Sequence, residues 1–134
     1  MIVFLDANVL FSAVYSPLGT CSLLFQLAKT GHFRLVTSAY VFHEADRNLQ
    51  LKLQKPLILP KHVPVTSSAK PETCPIDLPA KDEQVFLDAL HARADVLLTG
   101  DRKHFGLYMN KPKLCRGLLI QTVSEFIDGG PYAG

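Results

Sequence analysis

Short apolar runs alternate with helical patterns along this chain, and this alternation restricts the possible fold more than any other feature. The run from Ile2 to Leu5 is unbroken, which is typical of a strand buried on both faces. Further strands are predicted at Phe33 to Thr37, Val96 to Thr99 and Leu118 to Gln121. Because strands that alternate with helices form parallel sheets, the sequence predicts an α/β fold: a three-layer α/β/α sandwich with a central parallel sheet.

The predicted helices have recognisable ends. Apolar residues at helical spacing from Leu23 to Ala28 are followed by Gly31, a typical helix stop. Ser38 is a predicted cap for a helix from about Ala39 to Gln54, which Pro56 ends. The other predicted helices are Asp82 to Ala94 and a short one behind the capping box Thr122 to Glu125. Prolines limit any strand between Leu57 and Val65 to short or edge pieces, and Thr66 to Lys81 is predicted to be a loop.

Length and composition narrow the class of protein. The 134 residues suit one domain, 1–134, and the net charge of +2 argues against an extreme polybasic or polyacidic surface. No apolar run approaches the ~20 residues of a membrane span, and no secretory leader is evident. The three cysteines, Cys21, Cys74 and Cys115, lack metal-binding spacing and are interpreted as reduced thiols. We therefore expect a cytoplasmic protein with no membrane partner.

Two acidic residues follow predicted strands. Asp6 comes directly after the first strand, and Asp101 follows the strand that ends at Thr99. In parallel sheets, ligands bind beyond the carboxyl ends of the strands, so both carboxylates are candidate site residues. Taken singly, each also fits a turn former or a helix cap.

Two further carboxylates are expected to face the same way. Helical geometry places Asp82 at the start of the apolar stripe of its helix, although a helix cap explains that position equally. Glu44 flanks the apolar stripe of an earlier helix, where an ion pair with Lys or Arg is the alternative to a metal. Asp88 falls on the far face of the Asp82 helix and is expected to be solvated.

The four carboxylates together carry a stronger prediction than any one of them. Converging carboxylates repel one another unless a cation lies between them. Oxygen-only ligands favour Mg²⁺ or Mn²⁺. Such an ion activates water and stabilises charge on a reacting phosphoryl group, so the pattern indicates metal-assisted chemistry at a phosphoryl centre.

Four segments carry a family resemblance, in the family's order. They are Val3 to Leu10, Ser38 to Leu49, Pro79 to Asp101 and Leu118 to Phe126. In these segments the chain resembles the PIN domain, the small metal-dependent nuclease fold found in the toxins of VapBC toxin–antitoxin pairs. The resemblance implies a ribonuclease that uses Mg²⁺ or Mn²⁺ and leaves 5′-phosphate and 3′-hydroxyl ends. It implies Asp6, Glu44, Asp82 and Asp101 as catalytic metal ligands.

The resemblance also assigns supporting roles and partners. Asn8 and Thr99 match positions that orient a carboxylate or a water. Many family members carry a further acidic residue after the last Asp, whereas this chain has Arg102, Lys103 and His104, which are candidate RNA phosphate contacts. The implied partners are an RNA substrate, an antitoxin protein and a second copy of the chain in a homodimer.

Other functions remain open at this point. A PIN-like domain that binds RNA or protein without catalysis would also tolerate the missing acidic residue. A dehalogenase-type phosphatase would require an Asp where Asn8 stands, and a phospho-receiver would require an early acidic pair that is absent. No Gly-x-Gly-x-x-Gly follows a predicted strand, which argues against a dinucleotide-binding domain.

Overall fold

Five parallel strands form the centre of the molecule in a computed structural model that describes residues 1–130. The strands are β1 (Ile2–Leu5), β2 (Arg34–Ser38), β3 (Val65–Thr66), β4 (Val96–Leu98) and β5 (Leu119–Gln121). Their order across the sheet is β3-β2-β1-β4-β5, and every neighbouring pair is parallel. The α/β sandwich with a parallel sheet is therefore confirmed.

Helices cover both faces of this sheet. They are α1 (Ala7–Tyr15), α2 (Thr20–Lys29), α3 (Ala39–Leu53), α4 (Ala80–His91), α5 (Arg102–Phe105) and α6 (Val123–Asp128), with 3₁₀ turns at Gly106–Tyr108 and Pro112–Leu114. Parallel connections are right-handed, so α1 to α3, which lead from β1 out to β3, lie on one face. Helix α4 leads back across the sheet to β4 and lies on the other face.

The strand order reverses direction between β1 and β4. From β1 the chain moves outward to β2, and from β4 it moves the opposite way to β5. Residues Leu5 and Leu98 are paired at the carboxyl ends of the two strands, and the N–H of Asp6 donates to the Leu98 carbonyl at 3.0 Å. A crevice at such a reversal is where open α/β sheets bind ligands.

The predicted element ends agree closely with the structure. Helix α3 begins after the Ser38 cap, whose hydroxyl accepts from the N–H of Val41, and ends at Leu53, with Gln54 as its C-cap two residues before Pro56. The capping box at Thr122 and Glu125 is present at the start of α6. Strand β3 has only two residues at the sheet edge, as the surrounding prolines predict. Helix α4 begins earlier than predicted, with Pro79 at the cap position, so Asp82 lies within its first turn and is not its cap.

The expectation that Asp88 is solvated is wrong. Its side chain is 1% exposed and accepts hydrogen bonds from the Ser38 hydroxyl, the Ala69 N–H at 2.7 Å and the Gln84 amide at 2.8 Å. The face of α4 that carries Asp88 is covered by the end of β2 and by the loop after β3. Helical periodicity does not predict the burial of this face, because the loop that covers it has no periodic pattern of its own.

The remaining fold-level observations concern cysteines and membrane spans. Cys21, Cys74 and Cys115 are all free, and Cys115 is fully buried. Within residues 1–130, no single helix has the length and apolar composition to cross a membrane. Helices α1 and α2 meet those criteria only as a pair, with a 98° bend between them.

Candidate metal centre

Asp6 joins the end of β1 to the start of α1. The N–H of Ala7 donates to its Oδ1 at 2.7 Å, so the carboxylate caps the helix, and the hydroxyl of Thr99 donates to its Oδ2 at 2.8 Å. The side chain is 5% exposed. Burial raises the pKa of Asp6 to about 6, although the hydrogen bonds from Thr99 and Ala7 act in the opposite direction. The carboxylate is thus fixed in direction and costly to ionise without a nearby cation.

A hydrogen-bond network joins the carboxyl ends of β1 and β4 around this carboxylate. The Asn8 amide nitrogen lies 3.4 Å from Asp6 Oδ2 and 3.3 Å from Thr99 Oγ1. Asn8 Oδ1 accepts from the N–H of Gly100 at 2.7 Å, and Thr99 Oγ1 accepts from the N–H of Asp101 at 3.1 Å. A Cβ at Gly100 would lie 3.3 Å from Asn8 Oδ1, so glycine permits this close approach. The structure thereby places Asn8 and Thr99 in contact with the Asp6 carboxylate.

Asp82 presents a buried carboxylate oxygen that lacks a hydrogen-bond donor. The residue is 3% exposed, and no donor among the described residues is hydrogen-bonded to its Oδ2. Burial raises the pKa of Asp82, and the nearby Asp101 carboxylate raises it further, while His104 acts to lower it. An unpaired buried carboxylate oxygen costs free energy, so this atom is suited to an added cation.

His104 lies between the carboxylates of Asp82 and Asp101. Its Nδ1 is 2.8 Å from Asp101 Oδ2, with which it is hydrogen-bonded, and 3.0 Å from Asp82 Oδ2. Asp101 also caps α5, because its Oδ1 accepts from the N–H of His104 at 3.0 Å. The sequence placed His104 beside the predicted site as a candidate phosphate contact, without metal-ligand spacing, and its position three residues after Asp101 was the available signal for a closer role.

Glu44 projects from α3 and forms an ion pair with a lysine, which was the predicted alternative to a metal. Lys81 Nζ lies 3.3 Å from Glu44 Oε1, and the bond to Glu44 raises the pKa of Lys81. The Lys81 side chain is 59% exposed, against 19% for Glu44. An ion pair with so exposed a lysine contributes little to stability, so the lysine is free to be displaced by another cation.

All four candidate carboxylates line one cavity of about 260 Å³. Its walls are formed by Asp6, Ala7, Asn8, Phe11, Ser12, Glu44, Asn48, Lys52, Lys81, Asp82 and Asp101. The oxygen-rich lining and the unpaired Asp82 oxygen fit a hard divalent cation. The residues present are therefore compatible with the ion that the resemblance implies.

The basic residues around the cavity differ from those singled out in the sequence. Arg102 and Lys103 are exposed on α5 and do not line the cavity. Lys81 and Lys52 do line it, and Lys52 Nζ also lies 5.2 Å from the centre of the Phe11 ring. Both were missed, although Lys81 adjoins Asp82 and Lys52 follows Glu44 by two steps of four residues along one helix.

The raised pKa of Asp6 predicts how the stability of the metal-free protein depends on pH. Its folded value of about 6 lies above the ordinary 3.8, so the folded state binds this proton more tightly than the unfolded chain does. Stability from this group is complete below pH 3.8 and is lost as the pH rises through 6. The loss is about 3 kcal/mol by pH 7.5, of which roughly half falls above pH 5.

Urea unfolding in EDTA, compared with an Asp6→Asn variant at each pH, measures this contribution. Asparagine is an equally good helix cap, so the variant removes the titrating charge of Asp6 without removing the cap. The free energy of unfolding of the wild-type protein is expected to fall relative to that of the variant between pH 4 and 7.5. A constant difference over that range would contradict the prediction.

The fold and the cavity define a class of protein: an open α/β domain with a carboxylate-lined cavity where the strand order reverses. A family model described as the PIN domain matches residues 2–103, and the chain belongs to the PIN domain family. No curated protein matches the sequence. His104 lies immediately beyond the matched range.

The solved structures that share this fold include two VapBC structures and one VapC toxin. VapBC2 from Rickettsia felis, bound to a DNA fragment from its promoter, is 17% identical with a TM-score of 0.59 over 91% of this chain and 98% of that chain. VapC20 from Mycobacterium tuberculosis, a sarcin–ricin-loop-cleaving toxin, is 10% identical with a TM-score of 0.55, covering 79% and 95%. VapBC-1 from nontypeable Haemophilus influenzae is 17% identical with a TM-score of 0.52, covering 92% and 99%. Likeness at such low identity establishes the common fold.

Proposed function

We propose that residues 1–134 form one PIN domain that acts as a Mg²⁺- or Mn²⁺-dependent endoribonuclease. One observation carries the proposal: the carboxylates of Asp6, Glu44, Asp82 and Asp101 line a single cavity at the strand reversal. The buried Oδ2 of Asp82 supports it, because no donor among the described residues is hydrogen-bonded to that atom, and His104 Nδ1, which lies 3.0 Å away, is hydrogen-bonded to Asp101. Family membership supports the same reaction class.

In this proposal the four carboxylates hold the ion, and the neighbouring side chains fix their directions. Thr99 and Asn8 orient Asp6, and the helix cap at Ala7 holds its other oxygen. A bound divalent ion supplies an activated water and neutralises charge on the phosphoryl oxygens. No side chain of the protein is required as a nucleophile.

Basic residues around the cavity suit a polyanionic substrate. Outside the four carboxylates the chain has eight acidic residues against 14 basic ones. Lys52 and Lys81 lie on the cavity wall, and Arg102 and Lys103 are exposed on the helix that follows Asp101. We propose that these side chains contact RNA phosphates on either side of the bond that is cut.

The proposed activity is tested by incubating the purified protein with single-stranded RNA and Mn²⁺ or Mg²⁺. We expect cleavage that leaves 5′-phosphate ends, and we expect EDTA to stop it. Asp6→Asn should lower the rate by at least about 100-fold, because even residues that only support metal ligands cost 10–100-fold when changed. Asp128→Asn, on an exposed residue at the end of α6, is the matched control and should cleave normally. Cleavage that survives EDTA would exclude the metal-dependent mechanism.

The cellular role is proposed from the structural neighbours. Two of them are VapBC structures and the third is described as a toxin, so we propose that this chain is the toxin of such a pair, cytoplasmic, and neutralised by an antitoxin protein. The cleavage assay tests this when the product of a neighbouring gene encoding a small DNA-binding protein is added. Suppression of cleavage supports the toxin role, and unchanged cleavage supports an RNA-processing role. The mass of the same preparation in solution tests the proposed homodimer.

A binding module without catalysis is the second candidate function. It is favoured by the Lys81–Glu44 ion pair and by the basic residues that follow Asp101 where many members carry an acid. A wild-type protein that binds RNA but binds no Mn²⁺ in calorimetry and cuts no RNA would establish it.

A further inference from the structure

The imidazole of His104 occupies a position that suits a metal ligand. Its Nδ1 lies 2.8 Å from Asp101 Oδ2 and 3.0 Å from Asp82 Oδ2, and one ligand atom from each of the three residues lies within 4.8 Å of the others. Neighbouring ligands of an octahedral ion with bonds of about 2.1 Å are about 3 Å apart. His104 Nδ1 is thus already spaced from one oxygen of Asp82 and one of Asp101 like an adjacent ligand.

A second observation points to an ion at this place. The hydrogen bond of His104 Nδ1 is made with Asp101, so Asp82 Oδ2 stays buried without a donor. One imidazole nitrogen cannot satisfy two carboxylate oxygens at once when it carries a single proton. An ion bound by all three groups would satisfy Asp82 Oδ2 and end the competition of two carboxylates for one imidazole proton. It would pair with each oxygen and accept the lone pair of the deprotonated nitrogen.

Local structure holds the imidazole in this position. The N–H of His104 donates to Asp101 Oδ1, which ties the start of α5 to the carboxylate it adjoins. The next residue, Phe105, is 0% exposed and anchors the turn in the core. The His104 side chain itself is 32% exposed, so an ion can reach it from the solvent.

We propose that His104 is a nitrogen ligand to the divalent ion, together with Asp82 and Asp101, and that it shifts the preference of the site from Mg²⁺ towards Mn²⁺. The proposal rests on the metal site of the proposed function and adds a ligand to it. Imidazole binds first-row transition ions well, whereas Mg²⁺ selects oxygen ligands and keeps much of its water. An otherwise oxygen-only site that gains one imidazole therefore discriminates between the two ions.

Pulsed electron paramagnetic resonance of Mn²⁺ bound to the protein tests the ligand directly. We expect a nitrogen coupling in the wild-type protein, and ¹⁵N labelling of histidine should change it. His104→Asn should remove the coupling. His91→Asn, on an exposed histidine in the last turn of α4, is the matched control and should retain it.

Competition calorimetry tests the preference of the site for Mn²⁺ over Mg²⁺. In the wild-type protein Mn²⁺ should bind more tightly than Mg²⁺, and His104→Asp, which restores an oxygen ligand, should lower the ratio of the two affinities by about tenfold. Bound Mn²⁺ without a histidine coupling, or an unchanged ratio in His104→Asp, overturns this proposal and leaves the ribonuclease proposal intact. A clear coupling in a protein that cuts no RNA overturns the proposed activity alone.

Discussion

Replacing Asp82 by asparagine is expected to abolish RNA cleavage and Mn²⁺ binding while leaving the metal-free protein at least as stable as the wild type. The reason is the environment of its carboxylate, which is 3% exposed and has an Oδ2 with no hydrogen-bond donor in the described structure. Burial and the nearby Asp101 carboxylate raise the pKa of Asp82, so its ionisation is less favourable in the metal-free fold than in water. The charge therefore benefits the protein only when a cation is bound.

The measurements are the Mn²⁺ affinity, the cleavage rate and the melting temperature in EDTA. Affinity and rate should each fall by at least about 100-fold, since changing a ligand should cost more than changing its supporting partner. The melting temperature in EDTA should stay level or rise. A variant that still binds Mn²⁺ with wild-type affinity, or one that melts far below the wild type in EDTA, would refute the assignment of Asp82 to the metal.

Replacing Asp88 by alanine is expected to have the opposite pattern: a loss of about 3–5 kcal/mol in the free energy of unfolding, at about 1–3 kcal/mol for each buried donor left without its acceptor, with metal binding retained in the folded protein. Asp88 is as deeply buried as Asp82 and lies on the same helix. Its two oxygens, however, accept from Ser38, Ala69 and Gln84. Removing the carboxylate leaves the Ser38 hydroxyl and the Ala69 N–H without that acceptor, while the Gln84 amide keeps its bond to the Ala69 carbonyl at 3.0 Å.

Urea unfolding measures the stability, and calorimetry at low temperature, where the variant is folded, measures Mn²⁺ binding. The two variants thus control for each other: both remove a buried carboxylate of α4, but Asp82 is expected to affect metal binding and Asp88 to affect stability. An Asp88→Ala protein of normal stability would contradict the structural role. A folded Asp88→Ala protein that has lost Mn²⁺ binding would contradict its separation from the cavity.

The placement of Asp6 and Asp101 was predictable from the sequence for a simple physical reason. Buried parallel strands are continuous apolar runs, so their ends are visible, and parallel strands bring their carboxyl ends to one edge. The helix-cap alternative for Asp6 was not wrong, because one oxygen caps α1 while the other points to Thr99. Similarly, Glu44 both pairs with Lys81 and lines the cavity.

Two features that the sequence did not reveal, the burial of Asp88 and the carboxylate contacts of His104, lack a periodic signal. Asp88 is buried by a loop, and loops cover a helix face without any pattern that identifies the contact. His104 is placed by α5, a helix of a single turn that is too short to show periodicity. Lys52 shares the face of α3 that carries Glu44, but only the structure shows that its side chain lines the cavity. Side-chain reach and loop packing are properties of the folded state, so they required the structure.

The strand order has a consequence for the order of events during synthesis. The cavity needs Asp6 from the first strand and Asp101 from beyond the fourth, and β1 acquires its β4 neighbour only after residues 96–98 have been made. Pairing of such distant segments is the slow, late part of folding. A nascent chain therefore has no assembled cavity until residue 101 has left the ribosome. Under the proposed activity, the emerging polypeptide is unable to cut the messenger that encodes it.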